Sequence, residues 1–165
     1  MLAEHTFLQN YTHGVVDVVQ LGESIAKFQA KPIVAPPLTQ RDAAQCPALI
    51  AFAPLPPAQL DELEQRLSDT GTADFIPIFS CLMASEVADE LLLAHLQRRL
   101  FLRSDAGTYS MLRYYDPRVF MQLCRILEPP QLKALFGPIK TWSFHLADKW
   151  YSMPRPEVDQ AREFS

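Results

Sequence analysis

Short apolar runs of changing period divide this chain into elements. Val15 to Leu21 (VVDVVQL) is rich in β-branched residues and predicts a strand. Glu23 to Ala30 predicts a short helix, and Ala48 to Ala53 (ALIAFA) a second strand. From Pro57 onward, Leu60, Leu63 and Leu67 recur at helical spacing. Pro57 suits the opening of that helix, and Asp61, Glu62 and Glu64 sit early, where the helix dipole favours anions. These carboxylates are read as a solvated helix start, and Gly71 as the stop. Phe75 to Met83 (FIPIFSCLM) is almost continuously apolar, as expected of a strand covered on both faces.

Ser85 then reads as an N-cap, followed by a helix from Glu86 to about Arg98 that buries Val87, Leu91, Ala94 and, at its margin, His95. A hairpin follows: Leu100 to Arg103, a turn at Ser104–Gly107, and a returning strand from Tyr109 to Tyr115. Asp116 and Pro117 are the N-cap and first residue of another helix, with Val119, Phe120, Leu123 and Leu127 on its apolar side. A short helix from about Pro130 to Phe136 ends at Gly137, read as a left-handed stop residue, with Pro138 beyond. Lys140 to Leu146 alternates, with Trp142, Phe144 and Leu146 on the apolar face of a strand. The order predicts an α/β fold of the mixed α+β kind, with a central mixed sheet flanked by helices. Residues 1–151 form a compact single domain in this reading, and residues 152–165 a mobile C-terminal tail.

Composition adds constraints. The 165 residues include 14 prolines and only 5 glycines, which argues against glycine-rich phosphate loops and flexible linkers. Seven of the prolines fall between Pro32 and Pro57, a segment expected to be extended coil on the surface around one strand. The net charge of −4 is unevenly placed. Residues 1–90 carry 4 basic and 12 acidic side chains (−8), and residues 91–165 carry 11 and 7 (+4). Such a dipolar chain can attract its own other half or orient a charged partner. Cys46, Cys81 and Cys124 are odd in number and widely spaced, so no disulfide framework is expected. No secretory signal pattern and no membrane-length apolar run is present, and the expected location is cytoplasmic.

The chemistry-bearing motifs are sparse. Gly22-Glu23-Ser24-Ile25-Ala26 has the form of a nucleophile elbow, but only 23 residues precede Ser24, too few for the strands and oxyanion loop of that architecture. A small serine hydrolase is therefore carried only as an alternative. His5, His13, His95 and His145 show no metal-ligand spacing, and no metal site is expected. Arg98, Arg99, Arg103, Arg113 and Arg118 lie near Tyr109, Tyr114 and Tyr115, which leaves a sheet-based RNA-binding module as a further alternative; no nucleic acid is expected as partner.

The most specific stretch is Arg113-Tyr114-Tyr115-Asp116-Pro117-Arg118-Val119, followed by Leu127, Gln131-Leu132 and Phe136-Gly137-Pro138-Ile139. With the upstream His95-Leu96-Gln97-Arg98-Arg99-Leu100, it resembles a bacterial domain-of-unknown-function family of effector chaperones, or adaptors, of type VI secretion systems. The resemblance covers roughly residues 45 to 146, and residues 1–44 match poorly. It implies a protein without catalysis or cofactor. Such an adaptor binds a secreted effector, often near the effector's N-terminal region, and helps load it on the spike-tip protein. Asp116, Pro117, Phe136, Gly137 and Pro138 are the structural part of the motif. Arg113 is expected to project from its strand on the same face as Tyr115, a pairing of residue types favoured at interfaces. Arg118 is a cation at the unfavourable end of a helix dipole, so an acidic group should offset it, either within the chain, for example among the many front-half carboxylates, or on the cargo. Trp142 is expected in the core, and Trp150 is placed for a partner groove.

Overall fold

The computed structural model describes residues 6–18, 22, 26–68, 78–146 and 149–156. One helical turn at Thr6–Gln9 leads into β1 (His13–Asp17). Then come β2 (Lys31–Pro32), a 3₁₀ turn at Gln40–Gln45, β3 (Pro47–Ala51), helix α1 (Pro57–Ser68) and β4 (Phe79–Ser85). Helix α2 (Asp89–Arg99) precedes a hairpin of β5 (Phe101–Arg103) and β6 (Tyr109–Met111). Helices α3 (Pro117–Ile126) and α4 (Pro129–Phe136) and strands β7 (Ile139–Leu146) and β8 (Lys149–Pro154) follow.

The fold is mixed α+β, as expected. Six strands form one sheet in the order β2-β3-β1-β4-β7-β8, and β5-β6 stands apart. Every neighbouring pair is antiparallel, so the pairing is not the mixed kind expected. The reason is the position of β1. It lies between β3 and β4 and opposes both, which separates two strands that run parallel to each other and are joined through α1.

Both faces of the sheet are covered. Val16, Ala48, Ile50, Phe79 and Leu82 face a core with Leu63 and Leu67 of α1. Val15, Leu49, Cys81, Met83, Trp142 and Phe144 face the layer of α2, α3 and α4. That two-sided burial is why β1, β3 and β4 read as apolar runs without alternation, whereas β7, with Trp142 and Phe144 in one core only, alternates. The second core is aromatic at its centre. Trp142 is fully buried, with Phe120 at 4.9 Å, Phe136 at 5.5 Å and Tyr114 at 5.8 Å between ring centroids.

Several local expectations are corrected. Ser85 ends β4 instead of capping a helix; its hydroxyl donates to the Pro138 carbonyl at 2.9 Å. Helix α2 starts at Asp89 and buries Leu92, His95 and Leu96, leaving Leu91 61% exposed. The run Leu91-Leu92-Leu93 permits several helical phases, and Leu96 and Leu100 select this one. Glu64 is not solvated: it is buried, and it accepts the Leu8 N–H at 3.1 Å. The proline-rich segment is not simply a surface wrap, because Ile33, Val34 and Ala35 are buried within it. The tail does not begin at Ser152. Strand β8 includes Ser152 to Pro154, and the Arg155 N–H donates to the Lys140 carbonyl at 2.7 Å. A pairing edge on β7 gives this polar stretch its ladder, which apolar patterning alone could not reveal. Gly71, Phe75 to Pro77 and residues 157–165 lie outside the described residues.

Candidate partner-binding site

The Arg113–Val119 motif begins where the small hairpin closes. The Leu112 N–H donates to the Leu100 carbonyl at 2.7 Å, and the Asp116 N–H to the Arg113 carbonyl at 2.9 Å. The returning strand thus stops at Met111, and Arg113 stands in a turn, not on a strand as expected. That turn sends alternate side chains in opposite directions. Tyr114 is fully buried, and its hydroxyl donates to the Leu96 carbonyl at 2.8 Å. Burial pushes its phenol far above the ordinary tyrosine value. Tyr115 is half-buried, edge-on to Tyr114 at 5.7 Å. Burial raises its phenol too, with the nearby Arg113 charge acting in the opposite direction. Arg113 itself is exposed.

Asp116 caps α3 as expected. It has extended backbone (φ −81°, ψ 123°), and its Oδ1 accepts the Arg118 N–H at 2.9 Å, with Pro117 in the first turn. The acidic group beside Arg118 is internal, one of the alternatives expected, and is this same cap, not one of the front-half carboxylates given as the example. The contact is loose: Nε lies 3.6 Å from Asp116 Oδ1, and the Arg118 side chain is 83% exposed.

Phe136, Gly137 and Pro138 form a junction with α2. Phe136 is buried between Phe120 and Trp142. Gly137 has the positive φ expected (+53°), but its ψ of −119° lies outside the left-handed helical region. Its backbone passes directly against the His95 ring, whose Nε2 donates to the Leu135 carbonyl at 2.8 Å. Burial lowers the His95 pKa, the Leu135 bond opposes that, and the Arg99 and Arg98 charges lower it further. Arg155 Nη1 donates to the Gly137 carbonyl at 3.0 Å, and Pro138 receives the Ser85 hydroxyl. His95, Arg155 and Ser85 thus lock the start of β7 to α2, β4 and the end of β8.

The four predicted partner-facing residues do not form one surface. Arg113 and Arg118 flank the same turn, with Tyr115 partly beneath. Trp150 is elsewhere. It pairs with His145 in the sheet, edge-on at 5.3 Å, and packs against the cluster under α1, on the opposite sheet face. Its neighbour Tyr151, 52% exposed, points to the other face of the sheet, opposite Phe144. Met121 and Ile126 of α3 escaped the sequence reading; they are 45% and 70% exposed. Their signal was available, since Phe120 and Leu123 fix the buried side of α3 and put Met121 and Ile126 off it.

The aromatic platform needed by an RNA-binding sheet is not assembled on this hairpin. Tyr114 is in the core, Tyr115 is half-buried, and the face of Tyr109 lies 5.9 Å from the Arg103 guanidinium. Ser24 lies outside the described residues. Among the described residues, no group of three or more His, Cys, Asp or Glu could hold a metal ion, and no helix is long and apolar enough to cross a membrane. A recess near the β2 edge is lined by Gln29, Lys31, Leu49, Ala51, Pro54 and Asp89. Its one carboxylate, Asp89, is already bonded to His13 Nε2 at 2.7 Å.

The family model for Domain of unknown function (DUF4123) matches residues 20–134. The chain belongs to the DUF4123 family. The match takes in residues 20–44 and includes the whole Arg113–Val119 motif, and it stops just short of Phe136-Gly137-Pro138. No curated protein and no solved structure matches the chain. Within this DUF4123 domain, the motif residues divide into an inward set that fixes the turn and an outward set, Arg113 and Arg118, that the fold leaves exposed.

Proposed function

We propose that this DUF4123 chain is a cytoplasmic adaptor that binds a type VI secretion effector and helps load it on the spike-tip protein, without catalysis or cofactor. Membership of the DUF4123 family carries the reading, because the Arg113–Val119 motif behind the resemblance to effector chaperones lies inside the matched region. The geometry supports it in a second way. The motif builds a rigid turn from Tyr114 and Asp116 and uses it to hold arginines outward. Arginine on a rigid element is well suited to protein recognition, since little side-chain entropy is lost for each hydrogen bond gained.

The test is co-expression with effector genes encoded beside this one, followed by purification through a tag on the adaptor. The expected result is a stable complex with one effector, retained through size-exclusion chromatography. Recovery of the adaptor alone with every neighbouring candidate overturns the reading.

A further inference from the structure

Helix α3 carries a solvent-facing stripe whose composition does nothing for the fold. Arg118, Met121, Gln122, Arg125 and Ile126 follow one another at helical spacing, and all are exposed. Arg113, also exposed, opens the turn that Asp116 closes just ahead of the stripe. From Arg118 to Ile126 the stripe is about 12 Å long. Two features of it are locally unfavourable. Arg118 puts a positive charge at the positive end of the helix dipole, and Ile126 leaves 70% of its surface in water.

The charges here are also unspent. Among the described residues, Arg113 and Arg125 have no ion-pair partner, and Arg118 has only its loose contact with the capping carboxylate. Four other cations are engaged: Lys27 and Arg66 with Glu62, Lys140 with Glu86, and Arg155 with the Gly137 carbonyl. Lys31, Arg41, Arg98, Arg99 and Lys149 are also without an ion pair among the described residues. What sets the α3 arginines apart is that they flank exposed apolar side chains on one helix face.

We infer that this stripe is the docking surface for an acidic amphipathic helix of a partner protein. The inference rests on the adaptor reading and names the chemistry of the cargo segment. Carboxylates flanking an apolar ridge would pair with Arg113, Arg118 and Arg125, while the ridge covers Met121 and Ile126, as in helix-in-groove recognition. The apolar anchors decide against RNA: they are aliphatic, and no aromatic ring stands on the stripe to stack a base.

The probe is a labelled synthetic helical peptide with a leucine ridge flanked by glutamates, compared with the same peptide carrying lysines instead. Fluorescence anisotropy with the full chain should show binding of the glutamate peptide only, weakening as salt rises to about 0.15 M. The double variant Arg118→Glu/Arg125→Glu should weaken it about tenfold or more, and Ile126→Asp by a similar factor. Thermal melts of both variants should match the wild type, because the substituted side chains are exposed. Arg118→Ala/Arg125→Ala and Ile126→Ala provide milder versions should either fold poorly. Equal binding of both peptides, no binding, or unchanged affinity in the variants overturns the inference. So does a single-stranded RNA that outcompetes the glutamate peptide, or self-association of the chain that the same variants abolish. An effector that co-purifies equally with wild type and the double variant removes this surface and leaves the adaptor reading intact. A peptide that binds as expected while no neighbouring effector co-purifies has the opposite consequence.

Discussion

Gly137→Ala should destabilise the domain more than its position at the end of a short helix suggests. Two separate penalties act there. With φ at +53° and ψ at −119°, the backbone occupies a region that side-chain-bearing residues adopt only under strain, at a cost of about 1–3 kcal/mol. A Cβ at this position would also stand 2.3 Å from His95 Cε1 and 2.6 Å from Nδ1, well inside contact distance. The His95 ring is buried and tied to the Leu135 carbonyl, so it cannot swing aside freely. Overpacking of this kind costs about 1–3 kcal/mol, and a freed Leu135 carbonyl a similar amount. The expected loss is about 4 kcal/mol, a large share of the ~5–15 kcal/mol typical of a domain, and a melting temperature lower by about 8–16 °C.

Circular-dichroism melts and urea titrations measure this loss, and two comparisons apportion it. Gly107→Ala is a control for backbone strain alone, since φ there is +84° and the nearest atom to a new Cβ is Arg103 Nη2 at 3.9 Å. It should cost only about 1–2 kcal/mol. In a double-mutant cycle, His95→Ala should recover about 1–3 kcal/mol of the Gly137→Ala loss, because the two changes share one contact. Strictly additive costs, or a Gly137→Ala variant within about 0.5 kcal/mol of wild type, would refute the argument.

Three further outcomes follow from the same structure. Because burial holds the His95 pKa below its usual 6.5, the unfolded chain takes up a proton first as pH falls. Stability should therefore be full above about pH 6.5 and decline below it, and His95→Gln should flatten that decline in melts taken between about pH 7.5 and 5. Asp116→Ala should lose the α3 cap, costing about 1 kcal/mol and about 2–4 °C in melting temperature, while Asp116→Asn should keep most of both. Burial pushes the Cys81 thiol up to about 12 and the Cys124 thiol up to about 11, so a thiol reagent near pH 8 should label both slowly in the native protein and quickly in urea. Rapid native labelling of Cys81 would contradict its buried position.

The elements that could be read from sequence were those whose signal is local. Asp116-Pro117 opens α3 where a cap and a first-turn proline belong, and Pro57 with Leu63 and Leu67 gave α1. What could not be read depended on partners distant in the chain. Nothing near Ser152 announces β8; its order comes from pairing with β7 and from Arg155 reaching back to Gly137. Ser85 has the chemistry of a cap, yet its hydroxyl is drawn to Pro138, 53 residues away. At the candidate site, the exposed arginines could be read as a type but not as a surface. Placing Arg113 on a strand hid that it opens the turn closed by Asp116, just ahead of Arg118, with its charge still close to Tyr115.

The motif interleaves folding and recognition one residue at a time, and that determines which experiments on it can be interpreted. Arg113 points out, Tyr114 fills the core, Tyr115 is half-covered, Asp116 caps and Arg118 points out again. A substitution at Tyr114 or Asp116 will therefore weaken binding whether or not those residues touch cargo, because α3 and the turn lose their anchor. Removing the Tyr114 hydroxyl alone strands the Leu96 carbonyl in the core, a cost of about 1–3 kcal/mol. Only the outward positions separate the two roles, since changing an exposed arginine costs the fold little. A series from Arg113 through Arg118 to Arg125 should lower affinity stepwise at constant melting temperature, whereas Tyr114→Phe should lower the melting temperature and leave the affinity of the folded fraction unchanged. If instead affinity follows melting temperature across both sets, the arginines act through the fold and the outward stripe is not the contact.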